Sequence, residues 1–282
     1  MKYRYLLFSI FMICLLGSCP KDNPEAPRIE GMKSILGVPY RTIDNQEIVL
    51  DLFLPETDTP TPVIIWIHGG GFTHNSRKSI FFDPAFVTGY GYAFISIDYR
   101  LAPDYYFPEQ VYDCKAAVRW VKAHAAEYNL LPGKIGLWGD SAGGYLVSFL
   151  GTSGDVTELE GPHDNPGFDS RVQAVCDFYG VIEPIGNLMG PEGSRNPELK
   201  KAANPLTHIS PNDPPFLIMH GKKDRWVPYS QSELLYENLK KKGVHAELKL
   251  LEDADHGHIS VLDFYSYENM ERVISFFDRY LK

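Results

Sequence analysis

At 282 residues the chain can hold one large α/β domain or two small ones, and with 44% apolar residues it can bury a sizeable core. Its 36 acidic residues outnumber the 27 basic ones and leave a net charge of −9, which argues against a nucleic-acid partner.

Residues 1–18 read as a secretion leader: Lys2 and Arg4 precede an apolar run too short to span a bilayer permanently. The run ends in Leu16-Gly17-Ser18-Cys19, which resembles the lipobox of bacterial lipoproteins. That resemblance implies export, cleavage before Cys19 and a lipid anchor on Cys19, with the protein held at a periplasmic or cell-surface membrane. Prolines and charges make 19–32 a flexible tether.

Residues 33–282 are expected to form one domain, because no linker or repeat divides them. Short apolar runs alternate there with helical patterns, which predicts an α/β fold with a mostly parallel sheet covered on both faces. The run 47–55 alternates like an early, partly exposed strand. The segments 62–67, 92–98, 134–139, 172–180 and 215–221 read as buried strands, and 245–251 as a strand near an edge. Val111, Cys114, Val118, Val121, Ala125 and Tyr128 mark an amphipathic helix. A second helix starts at Ser230-Gln-Ser-Glu233, a capping-box pattern, and Gly243 stops it. Met270, Val273, Ile274, Phe277 and Leu281 supply the last helix. The Gly-, Pro- and Asn-rich stretch 181–214 fits neither pattern and reads as a lid or substrate-facing insertion. Cys114 and Cys176 fall on buried positions and read as free thiols.

Gly139-Asp140-Ser141-Ala142-Gly143 lies between a strand and a helix, the setting in which G-x-S-x-G presents a nucleophilic serine on a sharp turn. His68-Gly69-Gly70-Gly71-Phe72 follows the strand 62–67, where the N–H groups of Gly70 and Gly71, with that of Ala142, can meet an oxyanion. His68 itself reads as a residue that orders the loop. A serine needs a base, and the base a carboxylate to orient it. Asp224 follows the strand 215–221 and His256 the strand 245–251, giving the order Ser, acid, His. His258 is the rival base, but Gly257 favours a tight turn presenting His256. Asp253 and Asp255 read as solvated loop acids and His220 as a buried hydrogen-bonding residue. Phe72 and Trp226 are candidate substrate-binding aromatics.

HGGGF, DYRLAPDYYFPEQVYD (98–113), GDSAGG (139–144), HGKKDRWVP (220–228) and DADHG (253–257) together resemble the hormone-sensitive-lipase-like carboxylesterases and the related bacterial feruloyl and acetyl-xylan esterases. The resemblance spans roughly residues 35–282. It implies an α/β-hydrolase fold with a minimal cap and ester hydrolysis through an acyl-enzyme, without cofactor or metal. It also implies that Asp98, Arg100 and Glu109 are structural polar partners. The short stretch before the strand 47–55 favours small esters, such as acetyl or feruloyl groups on plant polysaccharide, over long lipids. Two other readings share these motifs: a serine peptidase of the prolyl-oligopeptidase kind, and a non-catalytic glycan-binding surface lipoprotein.

Overall fold

The computed structural model describes residues 30–162 and 164–282. The expected leader, Cys19 and the tether as far as residue 29 lie outside the described residues.

Among the described residues eight strands form one sheet. They are β1 (Met32–Ile43), β2 (Gln46–Pro55), β3 (Thr61–Ile67), β4 (Ala93–Ile97), β5 (Leu130–Asp140), β6 (Ala174–Phe178), β7 (Phe216–Gly221) and β8 (Ala246–Leu251). Their order across the sheet is β1-β2-β4-β3-β5-β6-β7-β8. β1 pairs antiparallel with β2, and β2 with β4, whereas the other five pairings are parallel. The helices are α1 (Pro84–Gly89), α2 (Glu109–Ala123), α3 (Ala142–Thr152), α4 (Gly186–Gly193), α5 (Pro197–Ala202), α6 (Ser230–Lys241), α7 (Val261–Phe264) and α8 (Tyr267–Leu281).

Strand periodicity divides the core into two layers. Val63, Ile65 and Ile67 of β3 pack with Val111 and Val118 of α2, Tyr145 of α3 and Leu235 of α6. Ile64 and Trp66 point the other way, toward Val87 of α1 and Met270, Val273 and Phe277 of α8. Each such side chain, fully buried, contributes roughly 1.5–3 kcal/mol. This is the expected α/β-hydrolase fold. Because β3, β5, β7 and β8 run parallel, the loops after them emerge at one edge of the sheet.

Several local expectations are corrected. β2 is partly exposed as expected, at Glu47, Val49 and Phe53, but it is not the edge of the sheet: β1, which the apolar pattern does not reveal, pairs along it and takes the edge. β1 begins at Met32, the last residue of the expected tether. The helix expected over 111–128 ends at Ala123, and Ala125 and Tyr128 pack from the turns that follow. The capping box is not made: Tyr229 already has helical backbone and no side chain caps α6. β8 does lie at the edge, Gly243 takes a φ of 82°, and Cys114 and Cys176 are buried free thiols. Asp98 pairs with Arg77 (2.6 Å), and Arg100 with Asp113 (2.8 Å) and Glu109, holding the segment that leads into α2.

Asp177 of β6 accepts from Ser148 Oγ of α3 (2.8 Å) and from the Gly180 N–H (2.9 Å). Burial nevertheless raises its carboxyl to about 6. A raised folded-state pKa favours the native state below the ordinary carboxylate range, and that advantage is lost as pH rises through about 6. Relative to Asp177→Asn, the unfolding free energy of the parent should therefore drop by about 2 kcal/mol between pH 4.5 and 7.5. Urea titrations at the two pH values check this, and a pH-independent difference would refute it.

Candidate active site

Ser141 joins β5 to α3 with φ 53° and ψ −116°, a strained conformation for a residue bearing a Cβ. The turn closes because its flanking glycines lack side chains. A Cβ on Gly143 would sit 1.9 Å from the Ile67 carbonyl oxygen, and one on Gly139 2.5 Å from that of Gly143. The Ser141 N–H donates to Phe178 O (2.8 Å), so the turn is also tied to β6.

The Ser141 hydroxyl meets His256 Nε2 at 2.9 Å, and His256 Nδ1 meets Asp224 Oδ2 at 2.7 Å. A carboxylate only accepts, so Nδ1 carries the proton and Nε2 presents its lone pair to the hydroxyl. Asp224 Oδ1 accepts the N–H groups of Trp226 and Val227, each at 2.8 Å. Burial alone would raise the Asp224 carboxyl, but hydrogen bonds from His220, His256 and the Val227 N–H hold it well below the carboxylate range.

His220, the penultimate residue of β7, is buried as expected and proves to be part of this arrangement. Its Nε2 lies 2.9 Å from Val227 O and 3.2 Å from Asp224 Oδ2, while Nδ1 lies 2.7 Å from Ser232 Oγ. Both partners of Nε2 accept only, so Nε2 carries the proton and the Ser232 hydroxyl donates to Nδ1. Asp224 is thus gripped by two imidazoles. Loss of a hydrogen bond to a charged group should lower kcat about tenfold or more in His220→Phe, with His220→Gln, which keeps a donor, recovering much of it. Steady-state rates on a short acetyl ester check this, and a His220→Phe variant as active as the parent would refute it.

The tight turn expected at Gly257 forms, with the Ile259 N–H donating to His256 O (2.8 Å), but the turn is not what requires a glycine. Its φ is not positive; instead, a Cβ there would lie 1.8 Å from the Tyr179 hydroxyl. Gly257 lets the His256 loop close on Tyr179, whose ring packs edge-on against the imidazole at 4.9 Å. Asp255 pairs with Arg225 (2.5 Å) and Asp253 with Lys223 (2.5 Å), so these acids tie the histidine loop to the Asp224 loop rather than merely facing solvent. His258 contacts the His256 ring at 5.5 Å without replacing it.

The glycine loop is tied to the Ser141 turn through Asp140, whose Oδ1 accepts the Gly69 N–H at 2.7 Å. Burial lifts the Asp140 carboxyl to about 6 against the pull of that hydrogen bond. His68 stacks on Tyr99 (4.4 Å), and burial lowers it to about 4, so it stays neutral and orders the loop. The N–H groups of Gly70, Gly71 and Ala142 have no acceptor among the described residues. They line the same cavity as Ser141 and His256, about 540 Å³ in volume.

Val181, Ile185 and Asn187 bring the 181–214 segment to this cavity. The segment carries α4 and α5 and is fastened by Phe107 N–H to Leu188 O (2.8 Å) and Tyr145 OH to Ala203 O (2.5 Å). The two expected aromatics differ. Phe72 is fully buried and packs edge-on against Tyr145, whereas Trp226 is 66% exposed and stacks on His256 at 5.7 Å. Tyr179, Asp140 and His220 complete the arrangement without having been singled out for it in the sequence. Tyr179 stands one residue past the end of β6, a position that strand-end reasoning could have flagged.

A model of the BD-FAE family matches residues 50–239, more than half of the chain. Esterase LipQ of Mycobacterium tuberculosis is 31% identical over 256 residues, covering 79% of this chain and 60% of LipQ. The chain spans 49% to 60% of the length of the mycobacterial relatives it matches. Among solved structures, a truncated carbohydrate esterase from gut microbiota superimposes with a TM-score of 0.79 at 28% identity, covering 88% of this chain and 95% of that one. An acetyl ester-xyloside bifunctional hydrolase from Caldicellulosiruptor lactoaceticus superimposes with a TM-score of 0.74 at 26% identity, covering 91% and 98%.

Proposed function

The chain belongs to the BD-FAE family, and on that premise we propose that it is a serine carboxylesterase acting on small acyl esters of carbohydrate. The observation that carries this reading is the 2.9 Å contact between Ser141 Oγ and His256 Nε2 beside three unpartnered amides. His256 takes the hydroxyl proton as Ser141 Oγ attacks the ester carbonyl carbon. The oxyanion is met by the N–H groups of Gly70, Gly71 and Ala142, each such donor being worth about 3 kcal/mol in the transition state. Asp224 stabilises the imidazolium. Collapse of the tetrahedral intermediate breaks the bond to the alcohol, which leaves with the proton from His256. Water, deprotonated by the same imidazole, then attacks the acyl-enzyme and releases the carboxylic acid.

The carbohydrate part rests on the solved structures of a carbohydrate esterase and an acetyl ester-xyloside hydrolase to which this chain is similar. An aryl phosphonate should add one phosphonyl group to Ser141, located by peptide mass spectrometry. A panel of acetyl, butyryl, octanoyl and feruloyl esters beside acetylated xylan then defines the acyl group. Preference for octanoyl would discard the carbohydrate reading, and an unlabelled serine would discard the mechanism.

For location, the Leu16-Gly17-Ser18-Cys19 sequence supports export with a lipid on Cys19. Cys19→Ser should abolish metabolic palmitate labelling and release the protein from the membrane fraction. Retention of label in that variant would refute the anchor.

A further inference from the structure

We infer that Trp226 and His258 form the subsite for the alcohol half of the ester, and that the group they seat is a sugar ring. This rests on the esterase reading above, because that mechanism fixes where the alcohol lies. His256 Nε2 hands its proton to the leaving oxygen, so that oxygen comes within hydrogen-bond reach of Nε2, and the rest of the alcohol adjoins the groups around the imidazole. Three rings stand there. Tyr179 lines the same cavity, but it is fully buried against Phe264 and Gly257, so it does not present an open ring face as Trp226 does. Trp226 and His258 remain, and both line the cavity.

Trp226 is an unusual surface residue. Its indole is 66% exposed although a ring of this size ordinarily contributes by being covered. It lies within 13° of parallel to the His256 ring, with His258 packed at 60° to it at 4.6 Å. Its backbone is pinned, since the Trp226 N–H donates to Asp224 Oδ1 and the preceding Arg225 is tied to Asp255. An exposed aromatic face is thus held in place beside the proton donor, so little ordering is required when a ligand covers it.

The chemistry of the pair selects the ligand. A pyranose has a C–H face that packs on an indole and a rim of hydroxyls that need donors and acceptors. The side-chain nitrogens of His258 have no hydrogen-bond partner among the described residues, where the ring meets only Trp226 and His256. Burial and the neighbouring His256 lower the His258 pKa, so its ring is neutral at physiological pH and offers one donor and one acceptor. A fatty alcohol would gain nothing from His258 and would require an enclosed channel. Trp226 stands open to solvent instead, which leaves a way out for the rest of an oligosaccharide.

The test compares acetylated xylotetraose with ethyl acetate, whose alcohol is too small to cover the indole. In Trp226→Ala, kcat/KM for the oligosaccharide should fall at least about tenfold further than kcat/KM for ethyl acetate, mainly through KM. Trp226→Phe should restore most of that ratio, and His258→Ala should shift it in the same direction by a smaller factor. Equal losses on both substrates, which leave the ratio unchanged, would mean that Trp226 merely supports His256 and would overturn the inference. Failure of the parent to hydrolyse either substrate would overturn the esterase reading and this inference with it.

Discussion

Ser141→Ala should abolish ester hydrolysis while leaving the fold intact, with kcat reduced on the order of 10⁵-fold. The size of the effect follows from what the hydroxyl does. In the proposed mechanism it supplies the atom that forms the acyl-enzyme, and no other hydroxyl is bonded to His256 among the described residues. The preservation of the fold follows from what the hydroxyl does not do. Its hydrogen bond is to His256, whereas the turn is held by backbone: Ser141 N–H to Phe178 O, Tyr145 N–H to Ser141 O, and the glycine contacts at 139 and 143. Alanine meets the same backbone strain as serine at φ 53°, so the thermal midpoint should move little. Residual turnover above water, roughly 10³-fold, would come from the amides of Gly70, Gly71 and Ala142 acting on bound ester. A folded Ser141→Ala protein retaining more than a few per cent of the parent rate on a short acetyl ester would remove Ser141 from the mechanism.

The sequence made the strands that carry these groups easy to read, because β3, β4, β6, β7 and the second half of β5 are buried and appear as mostly apolar runs. β1 escaped for the opposite reason. Half of its residues are exposed, Gly37 and Pro39 interrupt it, and its pairing with β2 slips between Ile35 and Val38 and again between Pro39 and Arg41. No single period survives two such slips. Ser141, Asp224 and His256 were legible because each follows a readable strand. His220, Asp140 and Tyr179 were not legible as a unit, since what joins them is distance in space. His220 is twelve residues from Ser232 and Asp140 is 71 from Gly69. Gly257 marks the limit: its place beside His256 is plain in the sequence, but the reason for a glycine there is a tyrosine at the end of another strand.

Asp224→Asn should be nearly as damaging as loss of the serine, lowering kcat roughly 10⁴-fold, because the amide would be forced into the wrong orientation. Oδ1 of Asp224 faces the backbone N–H groups of Trp226 and Val227, which cannot become acceptors. In the asparagine the carbonyl must therefore stay there, and the NH₂ falls in the place of Oδ2, against His256 Nδ1 and His220 Nε2. The only way for His256 to meet an N–H donor at Nδ1 is to move its proton to Nε2, where it points at Ser141 Oγ and can no longer take the hydroxyl proton. The defect should appear in kcat and leave KM close to the parent value, because the cavity lining is unchanged. Stability should change as well, with a defined sign. The parent carboxyl titrates below the usual carboxylate range, so the stability it contributes is complete above the unfolded-state value near 4 and is lost as pH falls below it. The parent should be more stable than Asp224→Asn at pH 7, and the gap should narrow as pH is lowered through 4 and beyond in urea titrations. A variant with an intact rate would show that the orientation of His256 is fixed by Tyr179 and Trp226 rather than by the acid.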